Sequence, residues 1–186
     1  YVGLQESLAD RNVYSIDILK AYSKDELEEA GQMIEPERDT LFAYNGLYLL
    51  ATRYLATDHS RAVYELPQER WLTIALYLMQ NEGGAGESGR VRRMQLVGEA
   101  YWALSNLYMT VATPTLANAG KTGGQLSSCF IDTVDDSLQG IYDSNTDVAR
   151  VSKHGGGVGA YLGDVRSAGA PIRGVANSSG GVVPWI

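Results

Sequence analysis

"QLSSCFIDTVDDSLQGIYDSNTDVARVSKHGGGVGAYLGDV", residues 125–165, decides how the second part of this chain folds. QLSSCFI reads as a short strand, and DSLQGIYDSNTDVARVSK reads as a helix starting at Asp136. GGVGAYLGDV reads as the next strand. Strand, helix and strand with a helix of that length imply a parallel pair joined by a right-handed crossover. Thirteen of the 21 glycines fall in residues 120–186, and the chain changes character near residue 110. The organisation expected is a helical domain over residues 1–110 with an α/β unit opening over 111–186.

In front of that point helical signals dominate. Ser23 with Glu26 three residues on spells a capping box for a helix over roughly 24–34. A second helical pattern runs from about Thr40 to Tyr54. Pro67 sits at a helix start in ELPQERWLTIALYLMQ, with Trp71, Ile74, Ala75 and Leu78 on one face. NEGGAGESG reads as a mobile loop, after which Val97, Tyr101, Leu104 and Tyr108 recur at helical spacing. YLATDHSRAVYELP alternates weakly, as a hairpin would.

The bulk composition excludes several classes. A net charge of −7 argues against nucleic acid or an anionic membrane surface as the main partner. No apolar run reaches the ~18–20 residues a membrane span requires. One cysteine forms no internal disulfide, which makes the cytoplasm the default compartment. With His59 and His154 far apart, no metal-ligand spacing is present. The chain starts at Tyr1 without methionine and stops at GGVVPWI, where a strand should continue, so it reads as a piece of something longer.

Four features carry possible chemistry. HGGGVG (154–159), with Lys153 beside it, either lets backbone N–H groups approach an anion or simply ends a helix in a tight turn. Arg166 and Arg173 flank a glycine–proline loop, as phosphate-binding guanidiniums or as two surface arginines. Asp136 either caps its own helix or accepts hydrogen bonds from a ribose, the cap being the simpler reading. Cys129 is a small buried hydrophobe in the simplest case. That case leaves unexplained why Ser127 and Ser128 leave room beside the sulfur.

TPTLANAG, QLSSCF, DDSLQGIYD, VSKHGGGVG, VRSAGAPIRG and SSGGVVPW, in that order, closely resemble the catalytic large subunit of ribonucleotide reductases. Upstream, YSKDELEEAGQMIEPERDTLFAYNGLYLLATRYL looks like the segment that follows the regulatory ATP-cone in class I enzymes. The resemblance implies a helical N-terminal domain leading into the opening strands of a ten-stranded α/β barrel. It implies reduction of ribonucleoside diphosphates to deoxyribonucleotides by thiyl-radical chemistry, for DNA synthesis. Cys129 then resembles one thiol of the reducing pair. Thr113, Ser128 and Gly157 match positions beside the substrate.

Asp136, Ser137 and Leu138 resemble the turn that holds a deoxynucleoside triphosphate at the family's specificity site. Lys153, Arg166, Arg173 and Gly174 fall on effector positions nearby, Arg173 less uniformly than Arg166. The helix over 138–153 would then lie at a homodimer contact. No cofactor is expected on this chain itself. The radical would come from a metal-containing small subunit, and electrons from thioredoxin or glutaredoxin. The partner cysteine and the radical cysteine would lie downstream in the rest of the large subunit, leaving this piece inactive alone. The alternatives are a class II, adenosylcobalamin-dependent reductase and a non-catalytic nucleotide-binding module.

Overall fold

A computed structural model describes residues 1–185 apart from His59, with Trp185 described by its backbone only. The chain divides into two compact units, Tyr1–Leu126 and Ser127–Ile186. The first is helical: α1 (Val2–Asp10), α2 (Asp17–Ala21), α3 (Lys24–Gly31), α4 (Tyr44–Leu49), α5 (Pro67–Met79), α6 (Gly86–Ser105) and α7 (Thr113–Asn118).

The core of this unit is built around α5. Leu72, Ile74, Ala75 and Leu76 have no exposed surface, and Met94, Val97, Tyr101 and Leu104 of α6 pack against them. Proline at the start of α5 fits because its missing N–H lies in the unbonded first turn. The Ser23 capping box forms as expected. Ser23 Oγ accepts from Glu26 N–H at 3.2 Å and Glu26 Oε2 accepts from Ser23 N–H at 2.7 Å. Glu26 also takes Arg93 Nη2 at 2.6 Å, which fastens α3 to α6.

Several expectations are corrected. The helical pattern over 40–54 starts later and changes pitch: a 3-10 helix at Pro36–Leu41 precedes α4, and α4 continues directly into a π helix at Leu50–Tyr54. Leu78 is partly exposed, and Tyr108 is 75 % exposed because α6 ends at Ser105 and Leu107 turns the chain at φ 60. The glycine-rich stretch 81–89 is loop only in its first part, since α6 starts at Gly86. The hairpin over 54–67 reduces to one antiparallel bridge, Thr57 to Val63; its His59 lies outside the described residues.

The division between units falls at Leu126 and Ser127 instead of near 110, and α7 explains the difference. Buried Arg70 of α5 donates to Leu116 O at 2.9 Å and Ala119 O at 2.7 Å, tying α7 to the helical core. Gly120, at φ 75, follows; a Cβ there would stand 2.8 Å from Thr73 Cγ2. Only glycine fits that approach with a left-handed backbone.

The second unit opens as a strand–helix–strand unit: β1 (Cys129–Thr133), α8 (Leu138–Lys153) and β2 (Gly157–Tyr161). β1 and β2 pair in parallel, Cys129 opposite Gly157 and Thr133 opposite Tyr161. The strand begins at Cys129 and not at Gln125, because ladder pairing starts where β2 starts. Among the described residues the sheet has these two strands and is not closed.

Candidate functional site

Strand alternation sorts the second unit into two faces. Asp132 and Val134 line a pocket shared with Ile141, Ser144 and Val148 of α8, so the even-numbered residues of β1 face the helix. Cys129, Ile131 and Thr133 are on the other face and are exposed, Ile131 by 89 %. Their β2 partners on that face are Gly157, Gly159 and Tyr161. Two glycines therefore stand next to the thiol's end of the sheet, and no side chain from β2 rises beside the sulfur. Ser128 Oγ approaches Cys129 Sγ at 3.5 Å, and Ser128 O accepts from Gly157 N–H at 2.7 Å. The reading of Cys129 as a buried small hydrophobe is thus excluded. Thr113 belongs to the helical unit, where it is exposed at the first position of α7.

A second feature forms beyond the C-terminal ends of the two strands, where parallel sheets commonly place ligands. Asp136, Ser137, Leu138, Ile141, Val165 and Arg166 line a cavity of about 340 Å³, closed on its far side by Ile172 and residues 178–180. Ser137, not Asp136, caps α8, its Oγ accepting from Gly140 N–H at 3.0 Å. Gly140 is needed there: a Cβ would stand 2.7 Å from Asp135 Cβ. Freed from capping, the Asp136 carboxylate accepts Arg166 Nε at 3.0 and 2.9 Å and Arg166 N–H at 3.1 Å. The Arg166 hydrogen bonds hold Asp136 below its ordinary pKa, and the carboxylate raises that of Arg166.

Asp136 therefore orients the guanidinium. Arg166 Nη1 is further directed to Pro171 O at 3.3 Å. A guanidinium carries five N–H donors, so this arrangement leaves some for a ligand. The N-terminus of the 16-residue α8 opens onto the same cavity, adding positive helix-dipole character. The arrangement suits an anionic group over an apolar floor of Leu138 and Ile141.

The remaining sequence candidates are distributed differently. Lys153 is the last residue of α8, ~22 Å along the axis from Leu138 at the usual helical rise. Within one chain it does not join the cavity. Arg173 and Gly174, at φ 48 and 81, are the central pair of a tight turn in which Ile172 and Val175 exchange backbone bonds at 3.1 and 3.0 Å. Arg173 is exposed there, and its turn contributes Ile172 to the cavity wall. Sequence reading missed Val165 and residues 178–180, whose only signal was the SSGG run.

Comparison with known proteins bears on the family and on both units of the fold. The family model described as ribonucleotide reductase, all-alpha domain, matches residues 40–124, and the barrel-domain model matches residues 127–186. The chain belongs to the ribonucleotide reductase large-subunit family. It joins the family's helical domain to the start of its barrel domain. It is 47 % identical over 179 residues to a ribonucleoside-diphosphate reductase subunit alpha of Treponema pallidum, covering 96 % of this chain and 20 % of that protein. The Synechocystis subunit alpha is 42 % identical over 185 residues, covering 100 % and 22 %, and a Helicobacter pylori one is 41 % identical over 170, covering 91 % and 21 %. The chain thus spans about a fifth of the length of these relatives. Among the described residues no helix is long and apolar enough to cross a membrane, and no cluster of His, Cys, Asp or Glu is arranged to hold a metal.

Proposed function

We propose that this chain is the part of a class I ribonucleoside-diphosphate reductase large subunit that carries one reducing thiol and a deoxynucleotide specificity site. The observation that carries the reading is the division of labour within one strand–helix–strand unit. A thiol is exposed on a glycine-lined strand face, and an aspartate-oriented arginine lines a cavity at the other end of the same strand.

In this reading a ribonucleotide lies over the open face, beside Ser128, Cys129 and Gly157. Cys129 and a second thiol from the rest of the subunit together give two electrons and two protons and close to a disulfide. The 2′-hydroxyl leaves as water and hydrogen takes its place. The radical that starts the cycle comes from a separate metal-containing subunit, and thioredoxin or glutaredoxin restores the thiols. The apolar cavity and Arg166 receive the base, sugar and phosphates of an effector deoxynucleoside triphosphate. α8 exposes Leu138 and Tyr142 by 69 % and 60 %, which suits a homodimer contact. Two such helices packed antiparallel would bring one chain's Lys153 toward the other chain's effector cavity.

The test separates the two sites in the complete enzyme. Cys129→Ser should abolish multiple turnover driven by dithiols while leaving effector binding intact. Arg166→Gln should weaken effector binding about tenfold or more, the scale of one charge-assisted hydrogen bond, and flatten effector-driven choice among the four substrates. Basal reduction should survive. Wild-type turnover in Cys129→Ser, or unchanged effector affinity in Arg166→Gln, would contradict the corresponding half of the reading.

A further inference from the structure

A cavity of about 710 Å³ opens in the helical unit, apart from every residue assigned above, with Arg11, Asn12, Asp58, Asn118, Lys121 and Thr122 in its lining. Three segments build it. α1 ends at Asp10, and Arg11 and Asn12 turn the chain, Asn12 at φ 57. The residues that follow zip against the chain beyond α7: Thr122 N–H donates to Val13 O at 3.1 Å, and Tyr14 bridges Lys121 in antiparallel fashion. Lys121 reaches the third segment, its Nζ donating to Tyr54 O at 2.6 Å. Arg11 is steadied by the Tyr64 ring, 4.9 Å from its guanidinium carbon.

The charge balance of this lining is positive within a chain of net charge −7. Asp58 is the acid among the described lining residues, and its own turn consumes it. Its carboxylate accepts from Ser60 Oγ at 2.6 Å, Tyr64 Oη at 2.8 Å, Ser60 N–H at 2.8 Å and Ala62 N–H at 3.2 Å. The Ser60 and Tyr64 hydroxyls hold its pKa down at about 2. Lys121 is compensated only in part. Burial first, then the Arg70 guanidinium behind it, lower the Lys121 pKa to about 8, against a smaller opposing pull from Glu65. An ammonium discouraged by burial and by a like charge gains most from an anion in the adjacent space. Of its three N–H donors, one is committed to Tyr54 O.

We propose that this cavity binds a phosphate-class oxyanion, held between the Lys121 ammonium and the Arg11 guanidinium, with Asn12 and Thr122 as polar neighbours. A tetrahedral oxyanion presents acceptors in several directions, which suits a fork on one wall and a point charge on another. A planar carboxylate is satisfied by the fork alone. Binding restores the charge on Lys121, so it takes up a proton near pH 8 and weakens at higher pH. The other titratable groups facing Lys121 are Glu65 with the Tyr14 hydroxyl bonded to it, Arg70, and Arg11 and Asp58 across the cavity. Removing Lys121 isolates its part.

The experiment titrates sulfate, whose charge is constant between pH 7 and 9, and inorganic phosphate into the full-length protein carrying this chain. Calorimetry at constant ionic strength is the readout, in an Arg166→Gln background that silences the other phosphate-suited site. Saturable binding is expected, roughly tenfold weaker for sulfate at pH 9 than at pH 7. Arg11→Gln and Lys121→Met should each weaken it about tenfold or more, and Lys121→Met should also abolish the pH dependence. Arg11 is exposed, so its variant keeps the test decisive even if Lys121→Met fails to fold. Absence of saturable binding, or equal affinity in the parent and in Arg11→Gln, would overturn the proposal.

Discussion

Glu65 shows what one buried charge demands. Its side chain has no exposed surface; it accepts from Tyr14 Oη and from Ala56 N–H, and lies 3.9 Å from Arg70 Nη1. Burial raises its pKa against the pull of Arg70. Arg70, equally buried, gives Nε and Nη2 to the carbonyls of Leu116 and Ala119, while among the described residues Nη1 has no hydrogen-bond partner. Glu65→Ala would leave that guanidinium without its counter-charge and should cost about 3–5 kcal/mol in urea unfolding. Glu65→Gln should cost less, because it keeps an acceptor for Ala56 N–H. Lys121 adds a pH signature. Its folded pKa, about 8, lies below the ordinary 10.5, so between those values the unfolded chain holds a proton that the folded chain has released. Stability should therefore rise with pH across that window, and Lys121→Met should flatten the rise.

At the scale of elements, helix starts are the most portable pieces of this chain. Ser23→Ala removes the acceptor for Glu26 N–H and should lower stability by about 1 kcal/mol, read from thermal unfolding. α8 behaves differently because its cap is also a wall of the Arg166 cavity. Glycine within a helix ordinarily costs about 1 kcal/mol relative to alanine. Gly140→Ala should nonetheless fail to stabilise, since the added Cβ meets Asp135 Cβ at 2.7 Å and Ser137 Oγ at 3.1 Å. The Asp135–Ser137 turn must shift to admit it, carrying Asp136 away from Arg166. The expected result is a melting temperature no higher than that of the parent and, on the proposed function, weaker effector binding.

For the whole molecule the open sheet sets the behaviour. β1 and β2 pair only with each other among the described residues, so each presents an unpaired edge. Beside those edges Ile131 and Tyr161 are exposed by 89 % and 55 %. A two-stranded sheet is marginal alone, and an unpaired apolar edge templates association. The 186-residue chain by itself should therefore be oligomeric or poorly soluble, and without reductase activity, in light scattering coupled to size exclusion. A monodisperse monomer with one cooperative unfolding transition would contradict this.

The signals that were legible from sequence were local ones, each completed within about four residues. The Ser23–Glu26 box and Pro67 at a helix start need only neighbouring backbone to act, and the strand–helix–strand order around Cys129 is read as a succession of such local signals. Motif order around Cys129, Asp136 and Arg166 was enough to place the chain in its family. Tertiary structure alone decided the partners. Asp136 reads locally as a helix cap, but Ser137 takes that role and Arg166, thirty residues on, takes the carboxylate. α7 looks like the start of the second domain until Arg70 claims its carbonyls for the first. Lys121 is an ordinary surface lysine by spacing, and only the convergence of Tyr54, Glu65 and Arg70 on it makes its charge unusual. Sequence specifies which groups seek a partner, whereas burial and long-range contacts determine which partner is within reach.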